Sequence, residues 1–145
     1  MFRQIIAVGS LAWLIAVAGH TPAAEVDRSP LQVAVSSDGL WGYTANRTAN
    51  SISRIDLTAG TVVAEFPVGA GPTGIAVSAD GKTIYAANRG DDSLSVVPVT
   101  TNDAARTIPL ANQPYDVIVA TDGSIYVTCV GKDEVVQVID GKSLS

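Results

Sequence analysis

Short apolar runs alternate with polar turns along this chain, and the same order returns at a fixed interval. In the first copy the runs Leu31–Val35, Leu40–Ala45, Ser51–Asp56 and Thr61–Val68 are rich in Val, Ile, Thr and Tyr, which favours β-strands. Outside the amino-terminal segment, no window shows the helical spacing of roughly 3.6 residues. The pattern predicts four short strands per copy and an all-β fold.

The interval between copies is marked by turns. Asp38-Gly39, Asp80-Gly81 and Asp122-Gly123 are spaced 42 residues apart, each between two apolar runs. Asp-Gly supplies the positive backbone angles that tight hairpin loops require. Superposing Leu31–Pro72 on Thr73–Pro114 without a gap gives 14 identities in 42 positions. The chain is therefore predicted to be a repeat protein.

The third copy is predicted to start at Tyr115 and to carry one deletion after Gly123. The spacing of the strand tyrosines accordingly changes from 42 (Tyr43 to Tyr85) to 41 (Tyr85 to Tyr126). A period of roughly 40–45 residues with four strands per unit is typical of propeller blades. We therefore expect β-propeller blades of four antiparallel strands at about 31–72, 73–114 and, incomplete, 115–145.

About three blades make an incomplete propeller, because roughly four to eight are needed to close a ring. An open array would leave an unpaired sheet edge and an apolar blade face at each end. We interpret the chain as the amino-terminal part of a longer protein or as a truncated product. Self-association that completes a ring is the alternative.

The amino-terminal segment has the order of a secretory signal peptide. Arg3 precedes the uncharged apolar run Ile5–Ala18, and the small residues of Thr21-Pro22-Ala23-Ala24 follow before Glu25. We expect a signal peptide over 1–24, a partial β-propeller over 25–145, and a periplasmic or extracellular location. An uncleaved membrane anchor is the alternative, although the run is shorter than the roughly 18–20 residues that span a bilayer.

Charge and residue content limit the chemistry. The net charge is −5, and it becomes −6 once Arg3 leaves with the signal peptide, as does the single histidine, His20. Without clustered Lys and Arg, nucleic acid is not expected as a partner. The single cysteine, Cys129, cannot close an internal disulfide, and we expect it to be a small, partly buried residue at a strand end. A reactive thiol or an intermolecular bridge is the alternative.

The strand motifs resemble a known family. Tyr43-Thr44-Ala45-Asn46, Tyr85-Ala86-Ala87-Asn88 and Tyr126-Val127-Thr128-Cys129 look like degenerate forms of Tyr-Val-Thr-Asn, and Val68-Gly69-Ala70-Gly71-Pro72 is similar to a Val-Gly-x-x-Pro blade junction. The chain resembles the YVTN β-propeller repeat family from Leu31 to about Ile139. The resemblance implies a propeller fold. It carries over no functional residue.

Strand alternation sorts the loops onto two faces. The Asp-Gly turns and the turns after each third strand share one face, which we call the turn face. The loops after each tyrosine strand and the blade-to-blade junctions share the other, the junction face. Because rigid blades hold variable loops, the junction face is where we expect binding. Its candidate residues are Asn46, Arg47, Asn88, Arg89, Asp91, Asp92, Lys132 and Asp133. The alternative is that Asn and Asp at strand ends simply bond their own backbone.

No pattern predicts a catalytic residue, a cofactor site or a metal site. Asp91-Asp92 with Asn88 lacks the ligand frame of an EF-hand loop. Arg89-Gly90-Asp91 matches a short adhesion tripeptide, and Asn46-Arg47-Thr48 matches a glycosylation acceptor, but motifs of this length recur by chance.

Three functions are compatible with the sequence. The first is an exported binding or scaffold propeller for a protein, polysaccharide or small ligand, not membrane-spanning after signal cleavage. The second is the amino-terminal part of a propeller enzyme, since the resemblance extends to lactonase-type propellers and to periplasmic haem or quinone dehydrogenases. The third is a cell-surface structural repeat protein. Fold alone does not decide among them.

Overall fold

A computed structural model describes residues 27–101 and 103–144, so the predicted signal peptide lies outside the described residues. The first sheet has the strand order β1-β2-β3-β4 and the second β5-β6-β7-β8, while the third has three strands in the order β11-β10-β9. Neighbouring strands pair antiparallel. The strands are β1 (Pro30–Val35), β2 (Trp41–Asn46), β3 (Ser51–Asp56), β4 (Thr61–Pro67), β5 (Pro72–Val77), β6 (Thr83–Asn88), β7 (Ser93–Pro98), β8 (Arg106–Pro109), β9 (Pro114–Val119), β10 (Ile125–Cys129) and β11 (Val135–Ile139).

The predicted all-β blades are therefore confirmed, and the three sheets do not close into a ring. Strand β3 has the predicted bounds, and β4 ends at Pro67, one residue earlier than expected. Gly39, Gly81 and Gly123 have φ angles of 70°, 70° and 93°, as the predicted Asp-Gly turns require. The local sequence thus determines both the strands and the hairpins that join them.

The third copy differs from the expectation in its spacing, and its first strand begins at Pro114 instead of Tyr115. The deletion after Gly123 is compensated in the loop before β11, where Glu134 takes the positive φ angle that Asn50 and Asp92 have in the earlier copies. The interval is therefore 42 residues again from this loop onward. Asp140 accordingly accepts the backbone N–H of Lys142, as Asp56 accepts that of Thr58.

Each pair of neighbouring blades buries one apolar layer. Between the first and second blades, Tyr43, Ala45 and Ile52 pack with Ile84 and other apolar residues of the second sheet. Between the second and third blades, the layer consists of Tyr85, Ala87, Leu94, Val96, Val117, Ile125, Val127, Cys129 and Ile139. Alternation along each strand places successive side chains on opposite faces of the sheet, so every middle strand contributes to both of its blade faces.

The outward faces of the two end blades carry exposed apolar side chains. Val33 is 64% exposed on the first blade, and Ile118 and Val136 are each 60% exposed on the third. The equivalent positions in the other blades lie in the two layers between the sheets, where a neighbouring blade covers them. The first strands β1, β5 and β9 contact one another across the blades. They are the inner strands, which line the channel of a propeller.

Candidate functional site

The junction face is held together by a repeated backbone frame. The residues that precede the junction prolines, Ser29, Gly71 and Gln113, have positive φ angles of 41°, 59° and 55°. The carbonyl of Gly71 accepts the N–H of Arg89 at 3.2 Å, and the other two junctions make the corresponding bond. Asn50 Oδ1 accepts the N–H of Gly71 at 2.8 Å. Each loop therefore fixes the junction that leads into the next blade.

Two of the predicted site residues, Asn46 and Asn88, lie buried at the ends of β2 and β6. Asn46 Nδ2 donates to the hydroxyls of Ser51 and Ser53 at 3.2 and 2.7 Å. Asn88 Nδ2 donates to Ser93 and Ser95, both at 2.9 Å. These amides tie the second strand of a blade to the third.

Two further predicted residues, Asp91 and Asp92, support the junctions. Asp91 Oδ2 accepts the N–H of Ala70 at 3.0 Å, and Asp91 Oδ1 accepts the hydroxyl of Ser93 at 2.7 Å. Asp92 Oδ1 accepts the N–H of Gln113 at 2.7 Å. The carboxylates thus bond backbone and loop groups at blade boundaries.

The remaining four predicted residues are basic or exposed. Arg47, Lys132 and Asp133 are exposed on the junction face. Arg89 donates from Nη2 to Gln113 Oε1 at 2.8 Å, and its guanidinium carbon lies 5.9 Å from the centroid of the Tyr115 ring. The Arg89 side chain therefore connects its loop with the start of the inner strand β9.

A pocket of about 170 Å³ lies at that point, where the inner strands begin. We call it the inner-rim pocket, and it is lined by Leu31, Gln32, Thr73, Tyr115 and Asp116. None of these residues was predicted from the sequence. They occupy the first two positions after Pro30, Pro72 and Pro114, so the 42-residue period contained a signal that could have grouped them.

Gly74 allows the pocket to form. Its position in the second blade corresponds to Gln32 in the first and Asp116 in the third, and because it has no side chain, those two meet across it. Gln32 Nε2 donates to Asp116 Oδ1 at 2.9 Å, and Gln32 Oε1 accepts the N–H of Ile75 at 2.6 Å. A Cβ on Gly74 would lie 2.6 Å from the Cα of Asp116.

The other walls combine polar and aromatic groups. Thr73 Oγ1 donates to the carbonyl of Tyr115 at 2.8 Å, which fixes the start of β9. Tyr115 is 51% exposed, as is Leu31 at 53%. The pocket thus offers a carboxylate, an aromatic ring and an apolar side chain.

A larger pocket of about 390 Å³ opens at the outer edge, between the first and second blades. Phe66, Val68, Val97 and Ala105 give it mainly apolar walls, together with Ser95 and Asp103. In the described part of the chain, no three His, Cys, Asp or Glu side chains meet as metal ligands would. The inner-rim pocket combines charged and aromatic groups, so we treat it as the candidate site.

Cys129 ends β10 and is buried in the layer between the second and third blades. Burial raises the pKa of its thiol, and the carboxylate of Asp92 raises the pKa further. Both effects disfavour the thiolate, which is the reactive form.

Antiparallel sheets of three or four strands, packed face to face with the first strand of each sheet innermost, define a β-propeller. The chain belongs to the YNCE-like β-propeller family, whose model matches residues 33–125. This membership agrees with the resemblance of the Tyr-Val-Thr-Asn motifs.

Two solved structures are similar over most of the chain. Hydrazine synthase of Kuenenia stuttgartiensis has a TM-score of 0.77 and 27% identity, with 87% of this chain and 37% of that chain covered. U3-55K has a TM-score of 0.70 and 16% identity, with 80% and 37% covered, and shows the fold alone. The chain therefore spans 37% of the length of each of these proteins. No curated protein matches the sequence.

Proposed function

We propose that this chain is an exported binding propeller that holds a partner protein on its junction face, with the inner-rim pocket as the contact centre. The observation that carries the proposal is the convergence of Tyr115, Asp116 and Gln32 from blades one and three. Their strands are paired in antiparallel sheets and the pocket is open, which is how propellers and other scaffolds present binding groups.

Site-specific photo-crosslinking tests the binding role. A photoreactive amino acid at Leu31, which is exposed at the pocket, is expected to capture a partner in the cell envelope. The matched control places the same group at Lys82, which is exposed on the turn face. Tyr115→Ala should abolish the adduct formed from position 31. Adducts that are identical from both positions, or unchanged by Tyr115→Ala, would contradict the proposal.

Export is the second part of the proposal, and the order of charged, apolar and small residues before Glu25 supports it. Within residues 27–101 and 103–144, no helix has the length and apolar character needed to cross a membrane. Amino-terminal sequencing of the protein recovered from the envelope fraction should begin at Ala24 or Glu25. A cytoplasmic protein that retains Met1 would contradict export.

A second candidate function is a part of a propeller enzyme. It is favoured by the 27% identity to hydrazine synthase, an enzyme by its name, of which this chain matches 37%. Mass and sequence of the native protein together distinguish the two proposals, because a longer chain alone is compatible with both. A species well above the 14.9 kDa of this chain, with catalytic groups beyond it, would favour the enzyme.

A further inference from the structure

The inner-rim pocket has the size of one side chain. Its volume is about 170 Å³, whereas pockets for drug-sized ligands usually measure about 300–1,000 Å³. An extended side chain of a bound protein fits this space better than a whole cofactor does. The occupant is therefore expected to be a single residue that projects from a partner.

The charged group in the pocket is the carboxylate of Asp116, which has one oxygen available to accept a hydrogen bond. Gln32 Nε2 and the N–H of Val117 both donate to Asp116 Oδ1, each at 2.9 Å. No described residue donates a hydrogen bond to Oδ2. A carboxylate oxygen accepts most strongly from an ammonium or a guanidinium group, so the pocket favours a cationic end group.

The remaining walls suit the stem and the charge of such a side chain. Tyr115 offers an aromatic ring of a kind that attracts cations. Arg89 already lies near this ring, where Gln113 holds its guanidinium in place. Because two cations repel each other, an incoming basic side chain packs its methylene stem against the ring and places its charge at Asp116. Leu31 supplies apolar surface, along which the methylene groups of lysine or arginine pack while the charge reaches polar groups.

The net charge of the whole chain also favours a basic partner. The net charge is −5, and an acidic protein attracts basic partners over distances set by the ionic strength. The carboxylate of Asp116 would repel an acidic side chain in the pocket. The net charge of the chain, which acts at long range, and the carboxylate of Asp116, which acts at short range, therefore both favour a positively charged side chain.

We propose that the inner-rim pocket takes one basic side chain, a lysine or an arginine, of a partner protein, and that its charge pairs with Asp116 Oδ2. This inference rests on the proposed binding function and specifies the chemistry that the partner brings. It assigns Asp116 the role of charge recognition and Tyr115 and Leu31 the role of packing.

The probe is a blocked pentapeptide of four glycines around a central lysine, titrated into the full chain and followed by NMR. The matched controls replace lysine by norleucine, which keeps the stem, or by glutamate, which reverses the charge. We expect shifts at Tyr115 and Asp116 with the lysine peptide, weaker binding in high salt, and no saturation with either control.

The matched protein variants are Asp116→Asn and Asp122→Asn. The amide oxygen of the first can still accept from Gln32, so its fold is preserved, and a thermal melt verifies this. We expect about a tenfold loss of lysine-peptide affinity in Asp116→Asn and no change in Asp122→Asn, which alters the turn face. Equal binding of the norleucine peptide, tighter binding of the glutamate peptide, or unchanged affinity in Asp116→Asn would overturn the inference.

The crosslinking experiment separates the two levels of the proposal. An adduct from position 31 that depends on Tyr115 but survives Asp116→Asn unchanged would leave the binding function in place and refute the basic side chain. Loss of the adduct in both variants supports both proposals. No adduct from the wild-type pocket would contradict the binding function itself.

Discussion

At the scale of single residues, Asn46 and Asn88 show how small differences between repeats alter the hydrogen bonding. Thr44 donates from Oγ1 to Asn46 Oδ1 at 3.1 Å in the first blade. The second blade has Ala86 at the corresponding position, and no described residue donates a hydrogen bond to the buried Asn88 Oδ1. The second blade therefore lacks a hydrogen bond that the first blade makes. An unpaired buried polar atom lowers stability.

Thr44→Val should reproduce that deficiency in the first blade. It keeps the shape of the side chain but removes the donor, so Asn46 Oδ1 loses its partner. We expect the free energy of unfolding to fall by about 1–3 kcal/mol, measured by urea denaturation. Thr58→Val, in an exposed turn, is the control. Equal stability of Thr44→Val and the wild type would show that the bond contributes nothing.

The turn carboxylates predict a defined response to acid. Hydrogen bonds from the Ser36 hydroxyl and the Leu40 N–H lower the pKa of Asp38, and Ser78 and Lys82 do the same for Asp80. A pKa that is lower in the folded state means that the ionised form stabilises the fold. This stabilisation is present above the unfolded pKa of about 3.9 and is lost as the pH falls through the folded pKa.

The triple variant Asp38→Asn, Asp80→Asn and Asp122→Asn should therefore lose less stability on acidification. Its urea midpoint is expected to change less than that of the wild type between about pH 5 and pH 2.5. Asp133→Asn, on an exposed loop, serves as the control for the loss of one charge. Parallel curves for the triple variant and the wild type would rule out the turn carboxylates as the acid-sensitive groups.

Cys129 should report on the layer between the second and third blades. Because the thiol is buried and its pKa is raised, reaction with a maleimide should be at least about tenfold slower in buffer than in urea. Mass spectrometry of the adduct measures the rate. Equal rates in the two solvents would mean that this layer is open in solution.

At the scale of elements, strands and turns were predictable because both depend on neighbouring residues. Val, Ile, Thr and Tyr favour strands, and Asp-Gly fixes the hairpins, so β3 and the first turns appear where the sequence placed them. The compensating residue in the loop before β11 was missed. Glu134 differs in residue type from Asp92, so only its positive φ angle shows that the two positions correspond.

The inner-rim pocket was not predicted, for a physical reason. Gln32 and Asp116 are separated by 84 residues, and they meet only because the blades turn around a common axis over a residue without a side chain. Loop position alone predicted Arg89, Asp91 and Asp92, which the structure places at the blade junctions.

The contact between Gln32 and Asp116 depends on Gly74, a residue of strand β5. A Cβ there would lie 2.6 Å from the Cα of Asp116 and 2.8 Å from the carbonyl oxygen of Tyr115. Gly74→Ala should therefore separate the second and third blades and cost about 1–3 kcal/mol, as measured by thermal unfolding. Gly42→Ala is the matched strand control, since its nearest neighbour is the flexible Leu57 side chain at 3.0 Å. Similar costs for both variants would contradict this packing.

At the scale of the whole molecule, the period in the sequence explains both what is buried and what is exposed. The residues on inner blade faces form two apolar layers. The same positions on the two outward faces leave Val33, Ile118 and Val136 exposed. A blade cannot cover its own faces, so its stability comes from its neighbours, as in other repeat proteins.

Hydrogen exchange of the backbone amides, followed by mass spectrometry, is the most direct test of the array of blades. Three blades predict three maxima of protection at intervals of about 42 residues, at Trp41–Asn46, Thr83–Asn88 and Ile125–Cys129, with minima at the Asp-Gly turns. Slow exchange in one continuous block, or protection that does not follow this interval, would contradict the radial array of blades.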